Sequence, residues 1–207
     1  MGGAVASEHD ACALVSVARK DARPTREVLD LVLYGMACLA HRSGAVDGEG
    51  DGAGVLTDIP RALWADLLAR AGEDAAAVHG GRFAVGHIFL GQGELAELRP
   101  ILAAHGIRVL LARTETTDEA ALGPRGRVEA PRFVQLALEL ARGGRPGSRA
   151  LYEAAVEIER ATDATVVSLS RHTVVYKLRG VGSQLPAYFA DLADHRFATS
   201  VAFGHNR

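Results

Sequence analysis

The 207-residue sequence has no long apolar run and no leader of the secretory type. No stretch approaches the ~18 consecutive apolar residues that a membrane-spanning helix requires. The opening segment MGGAVASEHD has neither the basic stretch nor the apolar stretch of a signal peptide. We therefore predict a protein that stays out of the membrane and works in the cytoplasm.

An excess of either charge is also missing. Lys and Arg together number 23 and Asp and Glu number 25, which gives a formal net charge of −2. Proteins that bind nucleic acid usually carry a basic excess or a basic stripe, and this sequence has neither. Hydrophobic residues make up 48% and charged residues 23%, a composition that can bury a core. These proportions predict a globular protein with no nucleic-acid partner.

Cysteine is scarce, since the chain has only Cys12 and Cys38. Two cysteines cannot form a disulfide framework or a closed zinc site, so we expect both thiols to be reduced. Cys38 falls among the apolar residues of a predicted helix. We expect it to be a small buried core residue.

Apolar residues switch between the period of a strand and that of a helix along the chain. The predicted strands are 11–18, 55–59, 82–90, 107–113, 164–169, 173–178 and 198–202, and the predicted helices are 25–41, 61–71, 93–105, 148–161 and 183–191. Residues 114–128 are predicted to form a loop, 170–172 to join two strands, and 133–141 to form either a helix or a strand. The order has no regular βαβ repeat, which favours an α+β or layered α/β fold. The chain stops soon after the last predicted strand, and we expect it to be a fragment.

The segment Asp47-Gly48-Glu49-Gly50-Asp51-Gly52 carries carboxylates at alternate positions, as a calcium-binding EF-hand loop does. Asp58 takes the place where that loop needs a longer glutamate, and Pro60 lies where an exit helix should continue. The alternative is a tight turn in which glycine supplies positive φ and acidic side chains cap amides. No motif of the H-E-x-x-H or G-x-S-x-G type occurs. We predict no metal site.

Cys12 stands at the start of a predicted strand, close to the beginning of the chain. One interpretation is a buried, inert cysteine. The other is a nucleophile that becomes the N-terminal residue once residues 1–11 are removed. The freed α-amino group, with a pKa of ~8, could then take the proton from the thiol of the same residue.

Several short motifs, in order, resemble the opening of the large subunit of glutamate synthase, its class II glutamine amidotransferase domain. The motifs are Asp10-Ala11-Cys12, His41-Arg42-Ser43-Gly44-Ala45, Gly50-Asp51-Gly52-Ala53-Gly54, Ile59-Pro60, Phe83-Ala84-Val85-Gly86, Ser168-Leu169-Ser170-Arg171 and His205-Asn206-Arg207. Each motif alone is weak, but their order and spacing run through nearly the whole chain. The resemblance favours the nucleophile interpretation of Cys12.

The resemblance implies an N-terminal-nucleophile hydrolase, an α+β fold layered as an αββα sandwich, which would be incomplete in this chain. Residues 1–11 would be a propeptide and 12–207 the first part of the amidotransferase domain. Cys12 would attack the amide of glutamine, and Arg207 would pair with the substrate carboxylate. His41-Arg42 and 51–54 would shape the site without reacting.

The resemblance also implies what lies outside this chain. Ammonia would pass to a second site, where 2-oxoglutarate becomes glutamate with electrons from FMN and an iron–sulfur cluster. Neither cofactor is expected within these 207 residues. The remainder of glutamate synthase, in the same chain or a separate one, would be the partner.

The sequence departs from the family pattern at several points. Ala13 replaces the usual glycine after the cysteine, Ser43 interrupts a His-Arg-Gly motif, and a Trp is missing near 111–113. The family's oxyanion Asn-Gly pair and a substrate-binding Asp would lie beyond Arg207, so we expect no turnover from these residues alone. The alternative function is a truncated, non-catalytic amidotransferase-like module that binds a partner subunit.

Overall fold

A computed structural model describes residues 12–46, 49–143 and 147–207. The strands formed by these residues are β1 Ala13–Ala18, β2 Ala45–Val46, β3 Glu49–Gly50, β4 Ala53–Asp58, β5 Phe83–Leu90, β6 Ile107–Arg113, β7 Arg132–Leu140, β8 Thr165–Ser170, β9 Thr173–Leu178 and β10 Val201–Asn206. The α-helices are α1 Arg26–Cys38, α2 Arg61–Arg70, α3 Leu95–Ala104, α4 Pro124–Glu129, α5 Gly147–Ala161, α6 Leu185–Tyr188 and α7 Ala190–Ala193. Short 3₁₀ turns cover Ala40–Arg42, Ala75–His79, Glu119–Ala121 and Gly182–Gln184.

The strands form two four-stranded antiparallel sheets and one small hairpin. Sheet I has the order β1-β10-β4-β9, and sheet II has the order β6-β7-β5-β8. Strands β2 and β3 pair only with each other among the described residues. Helices and antiparallel sheets are thus mixed without parallel βαβ units, which confirms the α+β class.

Sheet I is covered by helix on one face and exposed on the other. In β1 the residues alternate, with Ala13 buried and Leu14 67% exposed. Helix α1 packs closely on the covered face, where a Cβ on Gly204 would lie 2.7 Å from the Cγ atom of Met36. This close approach requires glycine in β10. On the other face, Phe203 is 45% exposed.

Sheet II is buried on both faces. Helices α3 and α5 cover one face, where Leu102 and Ile158 join Ile88 and Leu136 in one apolar cluster. The other face belongs to a second cluster that includes side chains from α1, α2 and sheet I. Because both faces are dry, β5 is apolar along nearly its whole length instead of alternating.

The two sheets meet at β9, the edge strand of sheet I. Tyr176 of β9 packs edge-on against His87 of β5, with ring centroids 4.6 Å apart, and also against Phe189. The Nδ1–H group of His87 donates a hydrogen bond to the carbonyl oxygen of Val175 over 2.9 Å. At β9 the sheets are therefore joined by an aromatic cluster and by a hydrogen bond from the His87 side chain to the backbone of β9.

The segment 133–141, which the sequence left open between helix and strand, lies almost wholly in the strand β7, Arg132–Leu140. Several other sequence predictions need correction. The predicted loop 114–128 contains a 3₁₀ turn and most of α4, and the predicted helix 183–191 is broken into three short pieces. Strands β8 and β9 follow one another but pair with β5 and β4 in different sheets. The last strand lies later than predicted and runs to Asn206.

Other boundaries agree closely with the sequence. Helix α3 ends before Gly106, which has a φ of 70° and so fills the predicted role of a glycine after the helix. Within the ranges that the structure describes, no helix is long and apolar enough to span a bilayer.

Candidate functional site

Cys12 and Arg207 lie at the same end of sheet I, on neighbouring strands. Strand β1 begins directly after Cys12 and β10 ends directly before Arg207. Ala13 pairs with Asn206 in the antiparallel register, so the two predicted site residues flank the same pair. Side chains alternate along strands, which directs both of them to the face opposite the buried Ala13 and Asn206. Both Cys12 and Arg207 are exposed.

The end of β10 is held firmly from both sides. The side chain of Asn206 is buried and donates a hydrogen bond to the carbonyl oxygen of Met36 over 2.9 Å. The backbone N–H of Arg207 donates to Gly52, and its carbonyl accepts from Gly44, over 2.8 and 2.7 Å. The backbone that carries Arg207 is therefore fixed by α1 and by the segment before β4.

The Arg207 side chain is tethered at one atom and open at its end. Its Nε atom lies 3.3 Å from an oxygen of Asp51, and the side chain is 71% exposed. Most of the planar guanidinium fork therefore faces solvent. An arginine in this state can bind a carboxylate through two parallel hydrogen bonds.

A groove of about 550 Å³ runs along the exposed face of sheet I from Arg207. Its floor includes Gly52 and Gly54, where the absence of side chains leaves room above β4. A Cβ on Gly54 would lie 3.1 Å from the carbonyl oxygen of Tyr176. The walls of the groove carry Asp51, Val175, Lys177, Phe203 and His205.

A smaller and more enclosed cavity of about 290 Å³ adjoins this groove. The two share Asp51, Lys177 and Leu178. The Nζ atom of Lys177 lies 5.9 Å from the centroid of the Phe89 ring, which lines the smaller cavity. The region near Arg207 therefore offers both a charged end and an apolar recess.

In the acidic Gly-rich segment, Glu49 and Gly50 form β3, and the carboxylates of Glu49 and Asp51 have partners within the protein. Glu49 accepts hydrogen bonds from the backbone amides of Arg125 and Gly126 in α4, over 3.0 and 3.2 Å. Asp51 pairs with Arg207. Asp47 and Gly48 lie outside the described residues, which contain no group of three or more His, Cys, Asp or Glu side chains able to hold a metal ion. Glu49 thus caps backbone amides, as the turn interpretation expects, but Gly50 and Gly52 are not among the described glycines with positive φ.

The expected burial of Cys38 is wrong, because the side chain is exposed. Helix α1 buries Val28, Leu29, Val32 and Met36. Cys38 lies two residues after Met36, about 200° around the helix axis, and so points away from the core. Beside it, a hydrogen bond with Cys38 raises the pKa of the Tyr34 hydroxyl.

A polar network that the sequence did not predict is buried between the sheets. The Nη1–H group of Arg113 donates to Gln135 over 2.7 Å and to Asp191 over 2.9 Å. The amide of Gln135 donates to Asp191 over 2.7 Å, and the hydroxyl of Tyr176 donates to Asp191 over 3.1 Å. Gln135 also donates to the Nε2 atom of His87 over 3.2 Å, which fits a ring that carries its proton on Nδ1.

Burial decides the protonation states in this network. It lowers the pKa of His87 to about 4, so the ring is neutral near pH 7. It also raises the pKa of Tyr176, with a further upward effect from the charge of Asp191. A polar residue inside an apolar strand pattern, such as Gln135 within β7, was the signal in the sequence.

Comparison with known proteins places this geometry in a family. The family model for class-II glutamine amidotransferases matches residues 12–207. The glutamate synthase [NADPH] large chain of Azospirillum brasilense is 27% identical over 97% of this chain and 14% of its own length. Ferredoxin-dependent glutamate synthase 2 of Synechocystis sp. is 29% identical over the same shares, 97% and 14%. For glutamate synthase [NADH] of Saccharomyces cerevisiae, the identity is 29% and the shares are 97% and 10%.

This chain thus spans about a seventh of the length of the first two relatives. The resemblance seen in the sequence motifs is confirmed by the family match, which covers nearly all of the chain. The chain belongs to the class-II glutamine amidotransferases.

Proposed function

We propose that this chain is the glutamine-hydrolysing module of a glutamate synthase, with Cys12 as nucleophile and Arg207 as the group that binds the substrate carboxylate. The observation that carries the proposal is the pairing of Ala13 with Asn206. It brings an exposed thiol and an exposed guanidinium, far apart in sequence, to the same end and face of sheet I. The groove of about 550 Å³ beside Arg207 has room for an amino acid.

In the proposed reaction, removal of residues 1–11 frees the α-amino group of Cys12. That amine takes the thiol proton, and the thiolate attacks the amide carbon of glutamine. The proton passes to the leaving nitrogen, ammonia departs, and a thioester remains. Water then cleaves the thioester to give glutamate and the free thiol. The family match begins at Cys12, which supports the proposed boundary.

Arg207 would hold the carboxylate of glutamine, and Asp51 would orient the guanidinium. The contact between Asp51 and the Nε atom leaves the outer edge of the fork for the substrate. Two parallel hydrogen bonds from this edge fix the direction of the bound amino acid as well as its affinity.

The structure offers no support for the non-catalytic alternative at Ala13. Among the described residues other than glycine, only Ala22 has a positive φ. The methyl group of Ala13 is therefore accommodated in an ordinary strand. The departure from glycine in the family pattern introduces no strain at the proposed nucleophile.

We further propose the αββα layering of the N-terminal-nucleophile hydrolases. The two antiparallel sheets and the cover of α3 and α5 on sheet II agree with such a sandwich. A complete sandwich needs a further layer on the exposed face of sheet I, where Leu14 and Phe203 lie. The remainder of the synthase would provide it, and a cytoplasmic location stays a prediction.

The flavin and the iron–sulfur cluster of such a synthase would be held elsewhere. An iron–sulfur cluster needs about four cysteine ligands, and this chain has only Cys12 and Cys38. Within the described ranges no other cluster of ligating side chains replaces them. The residues present therefore do not fit the metal cofactor, and ammonia made here would be used at another site.

The proposal is tested on the complete protein, purified with measurable glutaminase activity. Intact-mass analysis should find a chain that begins at Cys12, and a glutamine-analogue electrophile should label that residue. A Cys38→Ser variant is the matched control, because it removes the other exposed thiol and should keep both activity and labelling. Full activity in protein that retains residues 1–11 would overturn the role of the α-amino group. Preferential labelling of Cys38 would overturn the assignment of the nucleophile.

A further inference from the structure

A second cleft, unrelated to the groove beside Arg207, lies at one end of sheet II. It has a volume of about 490 Å³ and is bounded by the start of β6, the end of β7 and the helix α3. Its apolar floor includes Val109, Leu140 and Ala141. Around this floor stand three arginines, Arg82, Arg99 and Arg108, and only one acid, Glu139.

The single carboxylate is shared by two of the three guanidinium groups. Arg82 reaches one oxygen of Glu139 over 2.7 Å, and Arg108 reaches the other over 2.8 Å. A hydrogen bond from Arg108, together with the charges of Arg82 and Arg142, lowers the pKa of Glu139. The acid therefore stays ionised, yet it cannot neutralise the cations that face the cleft.

Arg99 adds to the excess of positive charge in the cleft. It lies on the exposed side of α3 and lines the cleft, and the structure gives it no ion pair or hydrogen bond among the described residues. Two charged residues lie outside the lining of the cleft. The positive charge of Arg142 acts on Glu139, and the negative charge of Glu73 acts on Arg108. Asp74 lines a smaller depression with Arg82, but one of its oxygens already accepts the amide of Ala76. The cleft itself keeps an excess of two positive charges, three arginines against one acid.

Stability does not account for this arrangement. Arg108 is 63% exposed, and ion pairs with so much solvent contact contribute little to folding. Three like charges around an apolar floor repel one another, and the repulsion is relieved when an anion enters. Guanidinium groups are weakly hydrated and bind carboxylate or phosphate oxygens in pairs. An apolar floor lowers the local dielectric and strengthens that attraction.

We propose that this cleft binds a small organic anion with at least two negative charges, a phosphate monoester or a dicarboxylate. The excess of two positive charges is matched by a ligand with two negative charges. The apolar floor favours a ligand with a carbon skeleton over a bare inorganic ion. Arg99 and Arg108 would bind the ligand directly, while Glu139 offsets part of the charge of Arg82 and Arg108.

The cleft is separate from the proposed catalytic groove. Arg82 directly precedes β5, whereas Phe89, close to Lys177 and the groove, lies at the other end of the same strand. With a rise of about 3.4 Å per residue, the two sites lie roughly 20 Å apart along β5. A ligand here would not compete with glutamine for space. The inference therefore stands independently of the proposed function.

The test is calorimetric titration of the full chain with glycerol 3-phosphate and, separately, with succinate, at low ionic strength. We expect at least one of them to bind with a Kd below about 1 mM, and the affinity to fall as salt is added. Arg99→Gln and Arg108→Gln should each weaken binding about tenfold. The preferred probe distinguishes the phosphate monoester from the dicarboxylate.

Two matched variants sharpen the test. Arg132→Gln removes an exposed arginine at the opposite end of β7 and should leave binding unchanged. Glu139→Gln removes the only acid in the cleft and should tighten binding several-fold. Thermal melting without ligand verifies that each variant is folded. Absence of binding by both probes at 10 mM (about ten times the Kd limit set above), or an equal loss in Arg132→Gln and Arg99→Gln, would overturn the proposal.

Discussion

Polar side chains are exposed at the end of sheet I, whereas at the interface between the two sheets they are buried. At the end of sheet I, Cys12 and Arg207 are exposed, and the guanidinium is tethered by one contact to Asp51. Between the sheets, Gln135 and Asp191 are buried and bonded to several partners each. Buried polar groups whose hydrogen-bonding atoms all have partners within the protein stabilise one arrangement of the packed elements. Groups with unused bonding capacity at the surface are available to a ligand.

The largest expected effect comes from a substitution at the exposed end of sheet I. Cys12→Ser in the complete enzyme should lower glutaminase activity by a factor on the order of 10³ or more, because a hydroxyl is a far weaker nucleophile at neutral pH. Its melting temperature should stay unchanged, since Cys12 is exposed and precedes β1. Steady-state ammonia release and a thermal melt measure the two quantities. Near-normal ammonia release would remove Cys12 from the mechanism.

The second prediction concerns the polar network that is buried between the sheets. Asp191→Ala should lower the free energy of unfolding by about 3–5 kcal/mol, because Arg113 and Tyr176 lose their common acceptor. Asp30→Ala is the control, since Asp30 pairs with Arg26 on the surface of α1 and should cost less than about 1 kcal/mol. Urea denaturation compares the two variants. Equal losses of unfolding free energy in Asp191→Ala and Asp30→Ala would contradict the distinction between the buried network and the surface.

The third prediction concerns pH and His87. The pKa of this ring is lowered from 6.5 to about 4 in the folded protein, so the unfolded chain takes up the proton first. The stability that depends on neutral His87 is therefore complete above about pH 6.5 and is lost as the pH falls toward 4. The shift corresponds to roughly 3 kcal/mol.

Urea denaturation at a series of pH values measures this dependence. His87→Gln should flatten it, because an amide does not titrate and can still donate to Val175 and accept from Gln135. His195→Gln changes a ring that is 92% exposed and serves as the control. An unchanged pH profile in His87→Gln would refute the link.

The fourth prediction returns to the exposed region. Arg207→Ala should raise the KM for glutamine about 100-fold, the loss of a bidentate carboxylate contact. Asp51→Asn should raise it only several-fold, since it loosens the guanidinium without removing it. Arg70→Ala, which removes an exposed arginine of α2, should leave the KM unchanged. Initial rates over a range of glutamine concentrations give the KM of each variant. A normal KM in Arg207→Ala would exclude the proposed role of Arg207 in binding the substrate carboxylate.

The smallest expected effect is that of Cys38→Ser. The side chain is exposed at the end of α1, so the change in unfolding free energy should stay within about 0.5 kcal/mol. A small thiol reagent should modify both Cys12 and Cys38 in the unsubstituted protein, because both are exposed. Mass mapping of the modified peptides tests this. A protected Cys38 would contradict its observed position.

The sequence predicted the local elements better than their partners. Glycine and proline mark real boundaries, as at Gly106 and at Pro60 before α2. The pairing of β8 with β5 and of β9 with β4 has no local signal, because it depends on which sheet edge is free. Residues 170–172 do join two strands, as predicted, but the strands they join belong to different sheets.

For the site, the motifs predict that Cys12 and Arg207 act there, which stays a prediction, but they do not predict how these residues are held. Cys12 and Arg207 were identified from the sequence, and their shared position at one end of sheet I agrees with that prediction. The burial of Cys38 was misjudged because an apolar neighbourhood in sequence says nothing about its angle around α1. The role of Glu49 was not visible either, since the amides it binds lie in α4, far along the chain.

The pairing of β1 with β10 also constrains how the protein folds. Within the described residues, β1 has β10 as its only sheet partner, so residues 14–205 must be enclosed in the loop that this pair closes. Contacts this distant in sequence form late and slowly, because the entropy of closing the loop is lost before the contact forms. During synthesis, β1 has no strand to pair with until residues 201–206 have left the ribosome. The thiol and the guanidinium therefore come together only after the whole segment between them has been made.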